Sequence, residues 1–160
     1  MGLFDRLFRP RPPRTDEPRI TAPPDFRYSG RVAATLAGDV TLDVVGESFR
    51  QDTLWRLVGG RRPAPVREAI VATLVPEDNE YDENAVSVLI DGQPVGYLSR
   101  ANAARYRKGV EALIRQHGLV ALRGVILGGG QRPDGLGPLG VVLEHDPADF
   151  GVVRRPDEGD

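Results

Sequence analysis

The chain has 160 residues, with 21 Lys and Arg against 23 Asp and Glu, a net charge of −2 and a pI near 5.7. That balance argues against a protein that coats nucleic acid non-specifically, because neutralising many phosphates needs a basic surface. There is no cysteine, so disulfides and thiolate metal sites are excluded, and no apolar run approaches the ~20 residues that span a bilayer.

Met1 to Arg9 is a short amphipathic stretch with Leu3, Phe4, Leu7 and Phe8 on one helical face. It lacks the length and cleavage pattern of a signal peptide, so a cytoplasmic location is expected. Gly2 follows Met1, but Arg6 stands where N-myristoylation needs Ser or Thr. Residues 10–25, rich in proline and arginine, read as an extended linker. From Arg31 to Gly46 apolar residues alternate on either side of Gly38-Asp39, which predicts two strands joined by a tight turn. Phe49 to Val58 has helical spacing of Leu54, Trp55, Leu57 and Val58, ended by Gly59-Gly60. Trp55 is expected to anchor the core.

Ala69 to Val75 predicts a strand leading into an acidic turn, Glu77 to Asn84. Val86 to Ile90 and Val95 to Leu98 flank Asp91-Gly92, a strong hairpin signal. Ser99 suits the N-cap of a helix from Arg100 to His117, which Gly109 is expected to split and Gly118 to stop. Leu119 to Leu127 and Leu139 to Glu144 predict two more strands, with a long, mobile glycine-rich loop between them. Charge is segregated along this stretch. Residues 74–91 carry six acids and no base, whereas residues 97–123 carry six bases against Glu111 alone. Either two solvated faces attract each other, or a basic surface lies beside a polar pocket.

Chemistry other than recognition finds little support. Gly135 to Gly140 spells G-x-G-x-x-G, but a strand follows it where a dinucleotide fold needs a helix. The acidic turn offers spaced oxygens, yet an EF-hand loop starting at Asp78 would put Glu83 where glycine is required and Leu89 where the bidentate glutamate belongs. His117 and His145 lack a companion at ligand spacing, and no serine has a nucleophile context. No enzyme activity, metal or cofactor is therefore expected. Tyr81 and Asp82 lie together beside Asn79, with Tyr97 and Arg100 arriving from the hairpin and the helix start. An aromatic ring stacks a base for about 1–3 kcal/mol, and a carboxylate, which repels phosphate, accepts hydrogen bonds from a sugar hydroxyl. That is the chemistry of a strand terminus. The alternatives are a Tyr81 packed at a barrel mouth and an Asp82 that caps its own loop.

Asp78-Asn79-Glu80-Tyr81-Asp82-Glu83-Asn84-Ala85-Val86, a short hairpin, and Val95-Gly96-Tyr97-Leu98 resemble the signature of the HIRAN domain. That family reads (D/N)N-x-YD-x-NA-(V/I)-x-V, then G-x-x-(V/I)-G-(Y/H)-(L/V), then a helix; the likeness covers roughly residues 43 to 145. It implies a mostly β fold with a helical insertion, an OB-like β-barrel over residues 31–146. Residues 1–30 would then be a disordered or extended segment and 147–160 a polar tail.

The resemblance further implies capture of the 3′-hydroxyl end of single-stranded DNA, in DNA repair or replication-related processing. Tyr81 would stack a base, Asp82 would hold the terminal hydroxyl, and Asn79 would assist. Phe49 would be a second stacking aromatic on the first strand, Tyr97 a further aromatic after the hairpin glycine, and Arg100 a phosphate contact. A helicase or nuclease partner would supply any remodelling. The alternative is a protein-interaction module with the same barrel. Two departures stand out: Ser48 where the end-binding members have arginine, and a longer segment 50–66. Arg50 lies on the other side of Phe49 from Ser48.

Overall fold

Asp91 and Gly92 take φ +51° and +73°, the left-handed pair that matches the twist of a two-residue hairpin. They join β4 (Val86–Ile90) to β5 (Gln93–Leu98) as an antiparallel pair, the connection expected from the sequence. The computed structural model describes residues 32–36, 38–78 and 80–158, with 32–35 as backbone only. The amphipathic stretch and the linker before residue 32 lie outside the described residues.

The rest of the barrel grows outward from this hairpin. β3 (Pro65–Pro76) pairs with β4 from Ala72 to Pro76, and with β6 (Leu119–Gly129) from Pro65 to Leu74. β6 pairs with β9 (Leu139–His145), β9 with β2 (Val40–Val45), and β2 crosses to β5 at Val44 and Val45. The order β6-β3-β4-β5-β2-β9 therefore closes on itself as a six-stranded antiparallel barrel, an OB-like arrangement. Alternate residues point inward: Ile70, Ala72 and Leu74 from β3, Val86, Val88 and Ile90 from β4, Val120 and Leu122 from β6, Leu143 from β9. Each large side chain buried this way contributes about 1.5–3 kcal/mol.

β1 (Val32–Leu36) overturns the predicted N-terminal hairpin. It runs parallel to β6, while β2 pairs with β5 and β9. The bend between them is shaped from outside. A Cβ on Gly38 would come within 2.1 Å of the His145 carbonyl, so the chain turns against the end of β9 and not onto itself.

A 3-10 turn (Glu47–Arg50) and helix α1 (Gln51–Leu57) follow β2. Because β2 leaves β9 after Asp43, the backbone of Leu139 and Val141 lacks a strand partner on that side. Side chains fill the place. Gln51 Nε2 donates to the Leu139 carbonyl (2.8 Å), Gln51 Oε1 accepts from the Leu139 amide (2.9 Å), and Glu47 accepts from the Val141 amide (3.2 Å). Leu54, Trp55 and Leu57 are buried, and Trp55 is the core anchor its spacing predicts.

Helix α2 (Arg100–His117) starts where Ser99 Oγ accepts from the Asn102 amide (3.2 Å) and ends at Gly118. Gly109 does not split it. A Cβ there would lie 2.3 Å from the Phe150 carbonyl, so this glycine makes room for a neighbouring segment. That segment also revises the domain end. Residues from 147 onward read as a polar tail, yet Pro147 and Phe150 are buried and Val152 packs on the core. Arg105 binds both Glu158 oxygens and the Val153 carbonyl, which straps this stretch to α2. Between β6 and β9 the glycine-rich stretch forms a small hairpin, β7 (Gln131–Arg132) with β8 (Gly135–Leu136), where a mobile loop was expected. Among the described residues no helix is long and apolar enough to cross a membrane.

Candidate functional site

Tyr97 lies on β5 between Val45 of β2 and Ser87 of β4. Gly96 before it permits this. A Cβ at Gly96 would stand 2.4 Å from the Val45 carbonyl, so only glycine lets β2 cross β5 so closely. The Glu77 carboxylate is near enough to act on the Tyr97 hydroxyl. Burial, then the Glu77 carboxylate, push the hydroxyl pKa up, while the Arg50 guanidinium acts in the opposite sense. Tyr97 thus stays protonated, under the influence of Glu77 at the start of the acidic loop and of Arg50 in the 3-10 turn.

The turn carries Phe49, whose ring is 88% exposed. Phe49 was expected on the first strand, but Gly46 at φ +82° ends β2 and the Phe49 amide donates to the Gly46 carbonyl at 3.2 Å. Arg50 acts on Tyr97 and is the functional candidate that the sequence reading passed over. The signal available for it was a cation directly beside an aromatic residue.

The acidic loop stands on the β4 side of Tyr97. Tyr81, 77% exposed, presents its ring there, and its carbonyl accepts from Arg100 Nη2 at 2.8 Å. Asp82 is half-buried. Its Oδ1 accepts from the Asn84 amide at 2.9 Å, which makes it a cap for its own loop, as one alternative reading held. The second carboxylate oxygen is the one left to meet a ligand. Asn79 lies outside the described residues. The bases of α2 therefore do meet the acidic segment, largely through its backbone: Arg107 donates to the carbonyls of Glu77, Glu83 and Ala85.

The structure brings Tyr81, Asp82 and Arg100 into one loop-and-helix unit, and the Glu77 carboxylate at the start of that loop acts on Tyr97. Phe49 and Arg50 stand on the other flank of β5, beside the half-exposed Val45. A separate cleft of ≈ 360 Å³ between α1 and the β7–β8 hairpin is lined by Gln51, Trp55, Arg61, Leu136, Gly137 and Pro138. It holds none of these residues. Its polar groups are already engaged, Gln51 with Leu139 and Arg61 with Asp52 at 2.5 Å. Among the described residues no group of three or more His, Asp or Glu is close enough to hold a metal ion. No protein-family model, curated protein or solved structure matches this chain.

Proposed function

We propose that this chain is a non-catalytic, cytoplasmic module of HIRAN type that binds the 3′-hydroxyl end of single-stranded DNA. The observation that carries the reading is a pair of exposed aromatic residues, Phe49 on the turn after β2 and Tyr81 on the loop before β4, the two strands that pair with β5 at Tyr97. Exposed aromatics cost solubility unless something stacks on them, and nucleobases do so without sequence preference. Tyr81 stacks the terminal base, and the outward oxygen of Asp82 accepts from the terminal hydroxyl. Arg50 stands in for the arginine that Ser48 replaces and meets a phosphate, as do the remaining N–H groups of Arg100. Unwinding or cleavage belongs to a helicase or nuclease partner, in repair or replication-related processing. A second reading rests on Val45 and Phe49. This apolar pair fits a protein partner equally well, which would make the barrel an adaptor.

The test is fluorescence anisotropy with oligonucleotides of one sequence ending in 3′-hydroxyl or 3′-phosphate. The parent should favour the hydroxyl. Asp82→Asn keeps an acceptor for the Asn84 amide but loses the charge, so it should remove that preference, worth about 1.5–3 kcal/mol. Tyr81→Ala should weaken both strands alike by about 1–3 kcal/mol. A parent that binds neither strand, yet captures one protein from nuclease-treated lysate, would favour the adaptor. A parent that binds both ends equally would make it a general strand binder.

A further inference from the structure

Arg107 is a cation on α2 that neither the motif nor the aromatic surface assigns to any role. Its side chain is only 15% exposed. One nitrogen, Nη1, donates to the carbonyls of Glu77 (2.8 Å), Glu83 (2.7 Å) and Ala85 (3.1 Å). Nε donates to Glu111 at 2.8 Å, one helical turn on, and Nη2 lies 3.5 Å from Asp78. Glu77 is where the chain leaves β3, whereas Glu83 and Ala85 are where it returns toward β4. A single guanidinium therefore ties both ends of the segment that presents Tyr81 and Asp82.

We infer that Arg107 is the positioning residue that holds the 77–85 loop in its ligand-presenting form; what the loop is held for rests on the nucleic-acid reading above. Two physical arguments support it. Glu77, Asp78, Glu80, Asp82 and Glu83 crowd five negative charges into one turn, and a largely buried cation at its base offsets their mutual repulsion. Among the described residues the loop's own bonds include Glu77 amide to Ala85 carbonyl (2.9 Å), Ala85 amide to Asp82 carbonyl (3.2 Å) and Asn84 amide to Asp82 Oδ1. Arg107 contacts carbonyls at both ends of that set. It does so through backbone atoms, so it fixes the path of the loop and leaves its side chains free to differ. A lysine is a compact point charge without the planar fork, and it cannot serve the carbonyls, Glu111 and Asp78 together.

The test measures amide hydrogen exchange and strand binding for the full chain, Arg107→Lys and Arg107→Met. In Arg107→Met the amides of Glu77, Asn84 and Ala85 should exchange about tenfold faster or more, with those of the β3–β6 ladder unchanged. Arg107→Lys should fall between. Discrimination between 3′-hydroxyl and 3′-phosphate ends should disappear in step with loop protection. Parent-like protection in Arg107→Met would overturn the inference, as would a uniform loss across the barrel, which would mean general destabilisation. Loosened amides with end discrimination intact would also overturn it. If the parent binds no strand, the nucleic-acid reading fails by itself and the exchange result alone decides the clamp.

Discussion

His145 shows how a residue without a ligand role can still govern behaviour. It is buried on β9, with Nδ1 2.9 Å from the Val40 carbonyl and Nε2 2.7 Å from the Tyr106 hydroxyl. A carbonyl only accepts, so Nδ1 carries the proton and Nε2 accepts from Tyr106. Phe150 completes an edge-on cluster around the pair. Tyr106→Phe would leave Nε2 buried without a donor and should cost about 1–3 kcal/mol in urea denaturation at pH 7. An unchanged midpoint would show that water fills the gap. Burial also lowers the His145 pKa below 6.5. The unfolded chain then takes up the proton first. The stabilising contribution of the neutral ring is full above pH 6.5 and is lost as pH falls through the folded value. An NMR titration should find the His145 inflection below 6.5, and one at or above that value would refute the account. None of this was legible in the sequence, because the partner hydroxyl lies 39 residues away along the chain.

Elements differ in how locally they are determined. The β4–β5 hairpin and the limits of α2 were readable because Asp91-Gly92, Ser99 and Gly118 act on their immediate neighbours. The β1–β2 connection was not, since Gly38 answers to the backbone of His145. The turn at Phe49 was misread as strand because Glu47 and Gln51 bind β9 some ninety residues on. Gly109 gives this distinction a measurable sign. In an exposed helix interior, glycine to alanine stabilises by about 1 kcal/mol. Here the new Cβ would stand 2.3 Å from the Phe150 carbonyl, so Gly109→Ala should instead destabilise by about 1–3 kcal/mol, read from thermal or urea unfolding. Stabilisation would show that the segment from 147 onward yields easily. That segment also has its own acid response. The Arg105 guanidinium and the Arg155 amide hold Glu158 down to about 2, so its contribution is full above the ordinary glutamate value near 4.5 and is lost as pH falls through about 2. Loss of stability that sets in below pH 6.5 therefore begins with His145, and the loss that sets in below about 4.5 includes the strap.

Charge across the whole molecule decides how it can hold a polyanion. Sequence alone shows a basic stretch from residue 97 to 123 and invites a helix that tracks a nucleic-acid backbone. Packing engages three of those six cations. Arg100 is bound to the Tyr81 carbonyl, Arg105 to Glu158 and Val153, and Arg107 to the acidic loop. Of the residues that sequence grouped, Tyr81, Asp82 and Arg100 come together in one loop-and-helix unit. The electrostatic character of that unit was not legible, because hydrogen bonds to carbonyls are invisible to a count of charges. What the aromatic face offers a phosphate is Arg50 and the outward N–H groups of Arg100, set beside five acidic side chains between Glu77 and Glu83. Contact with few phosphates follows, and each phosphate neutralised on a single strand adds about 0.7 to the salt exponent. The logarithm of affinity for a 3′-hydroxyl oligonucleotide should thus fall against the logarithm of salt with a slope of roughly −1 to −3. Lengthening the strand beyond the aromatic face should leave that slope unchanged, because an end binder gains no contacts from distant nucleotides. A slope steeper than about −5, or one that grows with strand length, would mean that α2 follows the backbone after all. Recognition would then rest on charge along the strand, with the hydroxyl end at most a secondary preference.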